Sequence, residues 1–244
     1  MRLSPALLLA FVPFCAAPAG PVSDAAIGLK PSTGSEIPFG IEAVTGYRSE
    51  YVYRGFKLSH QVLDFQLETE IALSNHWMLA VGGWYATETG SGSFEEATGF
   101  VDLRYEQDQW AIGLNTSYHS FSHTIFQDGV DAGLFFTWMP NDDFHLTAGG
   151  YYDDGAGAWY GKLEGGWSQA TSDSSFVSFL AGTSWLDDYY GRSGWNDAYA
   201  RLSWTFAISD RIALTPFVGT SLSLDSGGPG SDYVWAGLWF EVNF

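Results

Sequence analysis

The chain has 244 residues, a formal net charge of -18, 46% hydrophobic and 17% aromatic residues, and 29 glycines. That acidity excludes the clustered Lys and Arg that phosphate binding requires, so no nucleic acid is expected. The single cysteine excludes a disulfide framework or a Cys-based zinc site.

Mean hydropathy is only -0.03. Many apolar residues are therefore interleaved with polar or small ones, as alternating strands require.

Residues 1–19 read as a secretory signal peptide. Arg2 supplies the basic end, Leu7 to Phe14 the apolar core, and Ala17-Pro18-Ala19 the small residues for cleavage. The apolar run is far shorter than the roughly 20 residues that a spanning helix needs. Cys15 follows Val12-Pro13-Phe14, which lacks the small residue a lipid-attachment motif wants before its cysteine. Residues 20–36 are rich in Pro, Ser and Gly and lack periodicity, as in a periplasmic N-terminal segment. From 37 to 244 a period-two pattern runs without a linker and predicts one outer-membrane β-barrel domain.

The first strand is expected over about 38–54. The second shows the alternation plainly: Phe65, Leu67, Thr69, Ile71 and Leu73 on one face, Asp64, Gln66, Glu68, Glu70 and Ala72 on the other. The third, 77–88, has Trp77, Leu79, Val81, Gly83 and Tyr85 together. The fourth sets Val101, Leu103 and Tyr105 against Asp102 and Arg104. The fifth sets Trp110, Ile112, Leu114, Thr116 and Tyr118 against Ala111, Gly113, Asn115, Ser117 and His119. Apolar faces continue with Val130 to Trp138, Phe144 to Tyr152, Trp159 to Trp167, Val177 to Trp185, and Ala198 to Phe206. The eleventh strand, about 211–222, is less regular, and Pro216 within it predicts a bulge. The twelfth carries Val234, Ala236, Leu238, Phe240, Val242 and Phe244.

Connections alternate in length. Short turns fall at 74–76, 106–109, 140–143, 169–174 and 207–210. Longer ones fall at 56–62, 89–95, 121–127, 153–157, 186–194 and 223–231. The predicted fold is thus all-β: a closed antiparallel transmembrane β-barrel of about 12 strands, with short periplasmic turns and longer extracellular loops. Trp77, Trp110, Trp138, Phe144, Trp167, Trp204 and Phe206 fall near the short turns. Tyr85, Tyr118, Tyr152, Trp159, Trp185 and Tyr233 fall near the long loops. Two such rings fit two headgroup boundaries. The terminal Trp239-Phe240-Glu241-Val242-Asn243-Phe244 resembles a barrel-assembly signal, so barrel-assembly machinery is an expected partner through Phe244.

The stretch Gly46-Tyr47-Arg48-Ser49-Glu50-Tyr51-Val52-Tyr53-Arg54-Gly55-Phe56 resembles the TorF (Gcw_chp) family of porins. That family's first strand has a Ser-x-Tyr-Val-Phe-Arg-Gly pattern, and Tyr53 stands here in place of Phe. The following hairpin, 64–87, is also similar. The resemblance implies an outer-membrane barrel and transport, and supplies no catalytic or ligand residues.

By parity the inward face carries Arg48, Glu50, Arg54, Glu68, Glu70, Asp102, Arg104, Asp131, Lys162, Glu164, Asp197, Arg201 and Glu241 as lumen-lining candidates, with Glu42 and Asp64. About twelve strands enclose a narrow interior. The expected function is a narrow porin-like channel for small solutes with an acidic lumen. The alternative is a non-conducting structural or adhesive barrel. A lipid-modifying barrel enzyme and a soluble ligand-binding barrel rank lower.

Ser117 and His119 share a face, with Asp131 on the next strand, which is the residue set of acyl transfer. Parity turns them away from lipid, so no enzyme is expected. The pairs Asp153-Asp154 and Asp187-Asp188 read as solvated loop carboxylates rather than calcium ligands. His60, His76, His119, His123 and His145 are dispersed, and no metal or cofactor is expected. The expected surroundings are outer-membrane lipid and lipopolysaccharide.

Overall fold

The computed structural model describes residues 39–224 and 231–244. The expected signal peptide 1–19, the segment 20–36, Cys15 and the glycines at 227–230 lie outside the described residues.

Twelve strands follow in chain order. They are β1 (Phe39–Tyr53), β2 (Phe56–Ala72), β3 (Trp77–Glu88), β4 (Glu95–Gln107), β5 (Trp110–Ser122) and β6 (Gly129–Asn141), then β7 (Phe144–Asp153), β8 (Ala158–Ser172), β9 (Ser175–Tyr189), β10 (Arg192–Ser209), β11 (Ile212–Ser223) and β12 (Tyr233–Asn243). Each pairs antiparallel with its sequence neighbours, and β1 pairs with β12 to close the barrel. The closing register sets Thr45 opposite Phe240 and Tyr47 opposite Leu238. At its periplasmic end the seam is tied by the Phe244 N–H, which donates to the Ile41 carbonyl at 2.9 Å.

The alternation read from the sequence decides which side chains meet which medium. On β5, Ile112, Leu114 and Tyr118 are exposed, whereas Ala111, Asn115, Ser117 and His119 are buried. The same inversion holds around the barrel: Leu67, Leu134, Phe136, Leu163, Phe179, Leu202 and Leu238 face outward, while Asp64, Asp102, Asp131, Glu164, Asp197 and Glu241 are buried. An apolar exterior around a charged interior is stable only where lipid covers the outside. At about 3.3 Å per residue and a tilt near 40°, a dozen residues span about 30 Å, which matches a hydrocarbon core. The chain is therefore an outer-membrane-type barrel.

Two predicted loops are strand instead. Residues 56–62 belong to β2, and 186–194 are shared by β9, a two-residue turn and β10. Beyond the lipid edge nothing demands an apolar outward face, so the alternation fades while backbone pairing continues. Both hairpins close on two-residue turns with positive φ: Arg54 (50°) with Gly55 (76°), and Tyr190 (48°) with Gly191 (81°). Two successive left-handed residues suit the twist of a tight hairpin.

Pro216 also differs from expectation. The β10–β11 ladder lapses opposite Trp204 and Thr205 and resumes in the same register, with Ser203 facing Phe217 and Phe206 facing Leu214. The register shift lies lower, between Ala207 and Ser209. Proline costs this sheet a ladder bond without inserting a residue. Phe217 consequently points inward and Val218 outward.

Inside, aromatic rings lie over glycines on neighbouring strands: Phe135 over Gly113 and Tyr151 over Gly133. A Cβ at either glycine would collide with the ring.

Leu134→Arg, in the middle of β6, places a charge in lipid and is expected to cost about 2–4 kcal/mol. Folding titrations into lipid vesicles, read by heat-modifiable gel mobility, check this. An unchanged midpoint would mean that this face does not meet lipid.

Candidate functional site

The interior is built from opposite charges brought together across strands. Nε of Arg48 on β1 donates to Asp64 Oδ2 on β2 at 2.7 Å, with both side chains buried. Arg104 on β4 donates to Glu70 on β2, and its Nε lies 3.6 Å from Asp102 and 3.5 Å from Glu106. Gln66 donates to Glu68 at 3.0 Å. Lys162 and Glu164, two residues apart on β8, meet at 3.3 Å, and Tyr199 donates to Glu164 at 2.9 Å. Asp197 accepts from Ser184, from Ser221 at 2.7 Å and from Asn196 at 3.2 Å. Glu241 accepts from Thr215 at 3.0 Å, and the Arg201 guanidinium lies 4.9 Å from the Trp239 ring centre. A charge in low dielectric persists only when paired or hydrogen-bonded, and these contacts supply that.

Glu50 is placed apart from this set, facing Lys57 at 3.9 Å and His60 at 3.7 Å on the outer stretch of the β1–β2 hairpin. The alternation breaks between Arg48 and Tyr51, opposite Gln61 at φ 51°, and beyond it Tyr51 and Tyr53 turn inward.

Arg54 and Asp131 are brought together with residues that the sequence reading had left among loops or unassigned. Arg54 sits at the tip of the β1–β2 hairpin, yet it is buried. The tip leans across the extracellular mouth. One guanidinium nitrogen pairs with Asp131 on β6, and Nη1 reaches Asp153 on β7 at 3.3 Å and the Tyr189 hydroxyl at 2.9 Å. The Tyr189 hydroxyl also lies 2.7 Å from Asp153. The guanidinium lies 5.0 Å from the Tyr53 ring centre, 4.4 Å from Tyr160 and 5.3 Å from Tyr189, within cation–π range.

Backbone groups of the tip are held as well. Asn196 donates to the Arg54 carbonyl at 2.9 Å, and Arg192 donates to the Gly55 carbonyl at 3.1 Å while lying 3.7 Å from the Phe56 ring centre. Asp153, expected as a solvated loop carboxylate, is instead a wall of this cluster. Asp154 accepts from the Val130 N–H, and Asp187 and Asp188 are exposed.

Around the tip, Tyr51, Tyr53, Phe56, Val62, Trp84, Phe94, Phe126, Leu186 and Tyr189 form one buried cluster across the outer end of the barrel. Phe94 and Phe126 are the aromatics of the connections 89–94 and 123–128, and nothing in a period-two pattern marks them.

Ser117 and His119 do meet, with Oγ 2.9 Å from Nε2. Their third partner is not Asp131, which Arg54 claims. Nδ1 of His119 lies 2.9 Å from the Thr98 hydroxyl and 3.4 Å from Glu96, whose other oxygen accepts from Tyr51 at 2.8 Å. All of these groups are buried in the interior, on the side away from lipid. Among the described residues no group of three His, Cys, Asp or Glu side chains could hold a metal ion.

No protein-family model and no curated protein sequence matches the chain. Solved structures do resemble it. An outer membrane channel from Pseudomonas putida F1 matches with a TM-score of 0.54 at 12% identity, over 89% of this chain and 100% of that one. KdgM porin matches with a TM-score of 0.55 at 9% identity, over 84% and 99%. LpxR from Salmonella typhimurium matches with a TM-score of 0.55 at 9% identity, over 83% and 99%. The shared feature is the outer-membrane barrel. Two of these proteins are named as a channel or porin and the third is not, so the fold alone assigns no role.

Arg48→Met leaves Asp64 buried without its cation and is expected to cost about 3–5 kcal/mol, whereas Arg48→Met with Asp64→Leu recovers most of that loss. Urea unfolding in lipid vesicles measures both. Equal losses in the two variants would show that the pair is not what stabilises this corner.

Proposed function

We propose that the chain is a narrow porin-like channel whose acidic lumen favours small cationic or neutral solutes. The observation that carries this reading is the charge on the inward face. Glu68, Glu70, Asp102, Asp131, Asp153, Glu164, Asp197 and Glu241 come from strands all around the barrel, and buried or half-buried bases are fewer. A surplus of one sign in a low-dielectric passage concentrates counter-ions and repels anions. The first-strand likeness to the TorF (Gcw_chp) porins supports the same assignment.

On this reading residues 1–19 direct export, 20–36 form a periplasmic lead-in, and barrel-assembly machinery engages the strand that ends in Phe244. Outer-membrane lipid and lipopolysaccharide surround the apolar belt.

A second reading is favoured by one specific feature. The aromatic cluster and the β1–β2 tip fill the extracellular mouth, as they would in a non-conducting structural or adhesive barrel. The two readings separate on whether that closure opens.

Planar-bilayer recordings under a potassium chloride gradient distinguish them. The wild-type barrel is expected to show rare, brief openings with a cation-selective reversal potential. Arg54→Ala is expected to raise the open fraction at least several-fold by removing the side chain that ties the tip to Asp131 and Asp153, which leaves only the Asn196 and Arg192 contacts to the turn carbonyls. Silence in both proteins would leave the structural reading.

A further inference from the structure

We propose that the cage around the Arg54 guanidinium is a binding site for small organic cations, guanidinium- or ammonium-bearing, and that Arg54 is its built-in occupant. The proposal names a solute class for the channel reading and rests on that reading for passage of the cation, though not for its binding.

The cage is complete in the way a ligand site is. Two carboxylates, Asp131 from β6 and Asp153 from β7, supply the charge. Three tyrosine rings, Tyr53, Tyr160 and Tyr189, turn toward the cation at centroid distances of 5.0, 4.4 and 5.3 Å. The Tyr189 hydroxyl bridges the two kinds of wall, 2.9 Å from the guanidinium and 2.7 Å from Asp153. Only Tyr53 is carried by the hairpin that bears Arg54. The other four walls belong to β6, β7, β8 and β9 and stay in place if the hairpin moves.

The chemistry selects the class. Aromatic faces with carboxylates suit a weakly hydrated, delocalised or alkylated cation. An alkali or alkaline-earth ion would want a shell of oxygens, which rings do not supply. An anion would meet both carboxylates.

The hairpin has the features of a removable occupant. Arg54 lies at positive φ in a two-residue turn, a conformation uncommon for a residue other than glycine. Its strands are interrupted just below the tip by the register shift between Tyr51 and Val52 and by Gln61 at φ 51°. These are the points at which the backbone can bend. Two contacts oppose that movement, from Asn196 and Arg192 to the carbonyls of the turn. A cation arriving from outside would compete with Arg54 for the same walls, and its binding would favour the tip-out state by its differential affinity for it.

The test is binding of methylguanidinium to the refolded barrel in detergent, read as the shift in heat-modification midpoint. Sodium chloride of equal ionic strength serves as the control. Arg54→Ala is expected to be stabilised by millimolar methylguanidinium by several degrees, and wild type much less because its cage is filled. Arg54→Ala combined with Asp131→Asn and Asp153→Asn is expected not to respond. If Arg54→Ala folds poorly alone, refolding with methylguanidinium is expected to restore the compact band.

A folded Arg54→Ala that ignores methylguanidinium overturns the proposal. So does equal stabilisation by sodium, equal stabilisation of the triple variant, or failure of methylguanidinium to restore folding while the triple variant folds. Because none of these readouts requires ion flow, a barrel that binds the cation but never conducts would sink the channel reading alone.

Discussion

Inside a bilayer no water is available to the backbone, so every N–H and C=O must find a partner within the protein. The pairing of β1 with β12 meets that demand by removing both sheet edges. Once the sheet is closed, alternate side chains have only two places to go. The exterior is lipid, and Leu67, Leu134, Leu163 and Leu202 occupy it. The interior collects what lipid rejects, including more carboxylates than cations.

That surplus shapes the rest of the interior. The carboxylates also draw on hydroxyls and amides, as Asp197 does on Ser184, Ser221 and Asn196, and Glu241 on Thr215. The two at the outer end, Asp131 and Asp153, receive their cation from a distance in sequence, through a hairpin tip folded over the mouth. Closure of the mouth and neutralisation of these acids are thus one event. The shape of the outer end is thereby tied to its electrostatics.

The fold was legible because lipid enforces a strict period. Twelve strands, their facing and the positions of the outward tryptophans follow from alternation alone, as on β5, where Trp110, Ile112 and Leu114 all face out. Legibility ended where lipid ended. Residues 56–62 and 186–194 keep pairing above the membrane without an apolar face, and their turns are Arg-Gly and Tyr-Gly rather than the Asn-Gly or Asp-Gly that mark a hairpin most strongly. Glu50 shows the same boundary, since the alternation breaks between Arg48 and Tyr51, opposite the positive-φ Gln61.

The inward charges were legible one at a time but not their grouping. Arg54 and Asp131 are 77 positions apart, and what joins them is the lean of a hairpin across the barrel mouth. The expectation of Ser117 and His119 with Asp131 on the next strand holds, since Asp131 lies opposite Ser117 in the β5–β6 ladder. Parity placed the three on one face, but the Asp131 carboxylate pairs with Arg54, and Glu96 lies beside His119. Sequence periodicity fixes facing, whereas pairing across the interior depends on which long side chain reaches first.

The central claim is that lipid covers the apolar face of each strand and that charge lies within. A nitroxide scan of single-cysteine variants along β5, from 110 to 119, tests it directly. Collision rates with lipid-soluble oxygen and with a water-soluble nickel chelate are compared in bilayers. The account predicts oxygen maxima at 110, 112, 114, 116 and 118 and minima between them. Maxima at the odd positions, or no two-residue period, would contradict it.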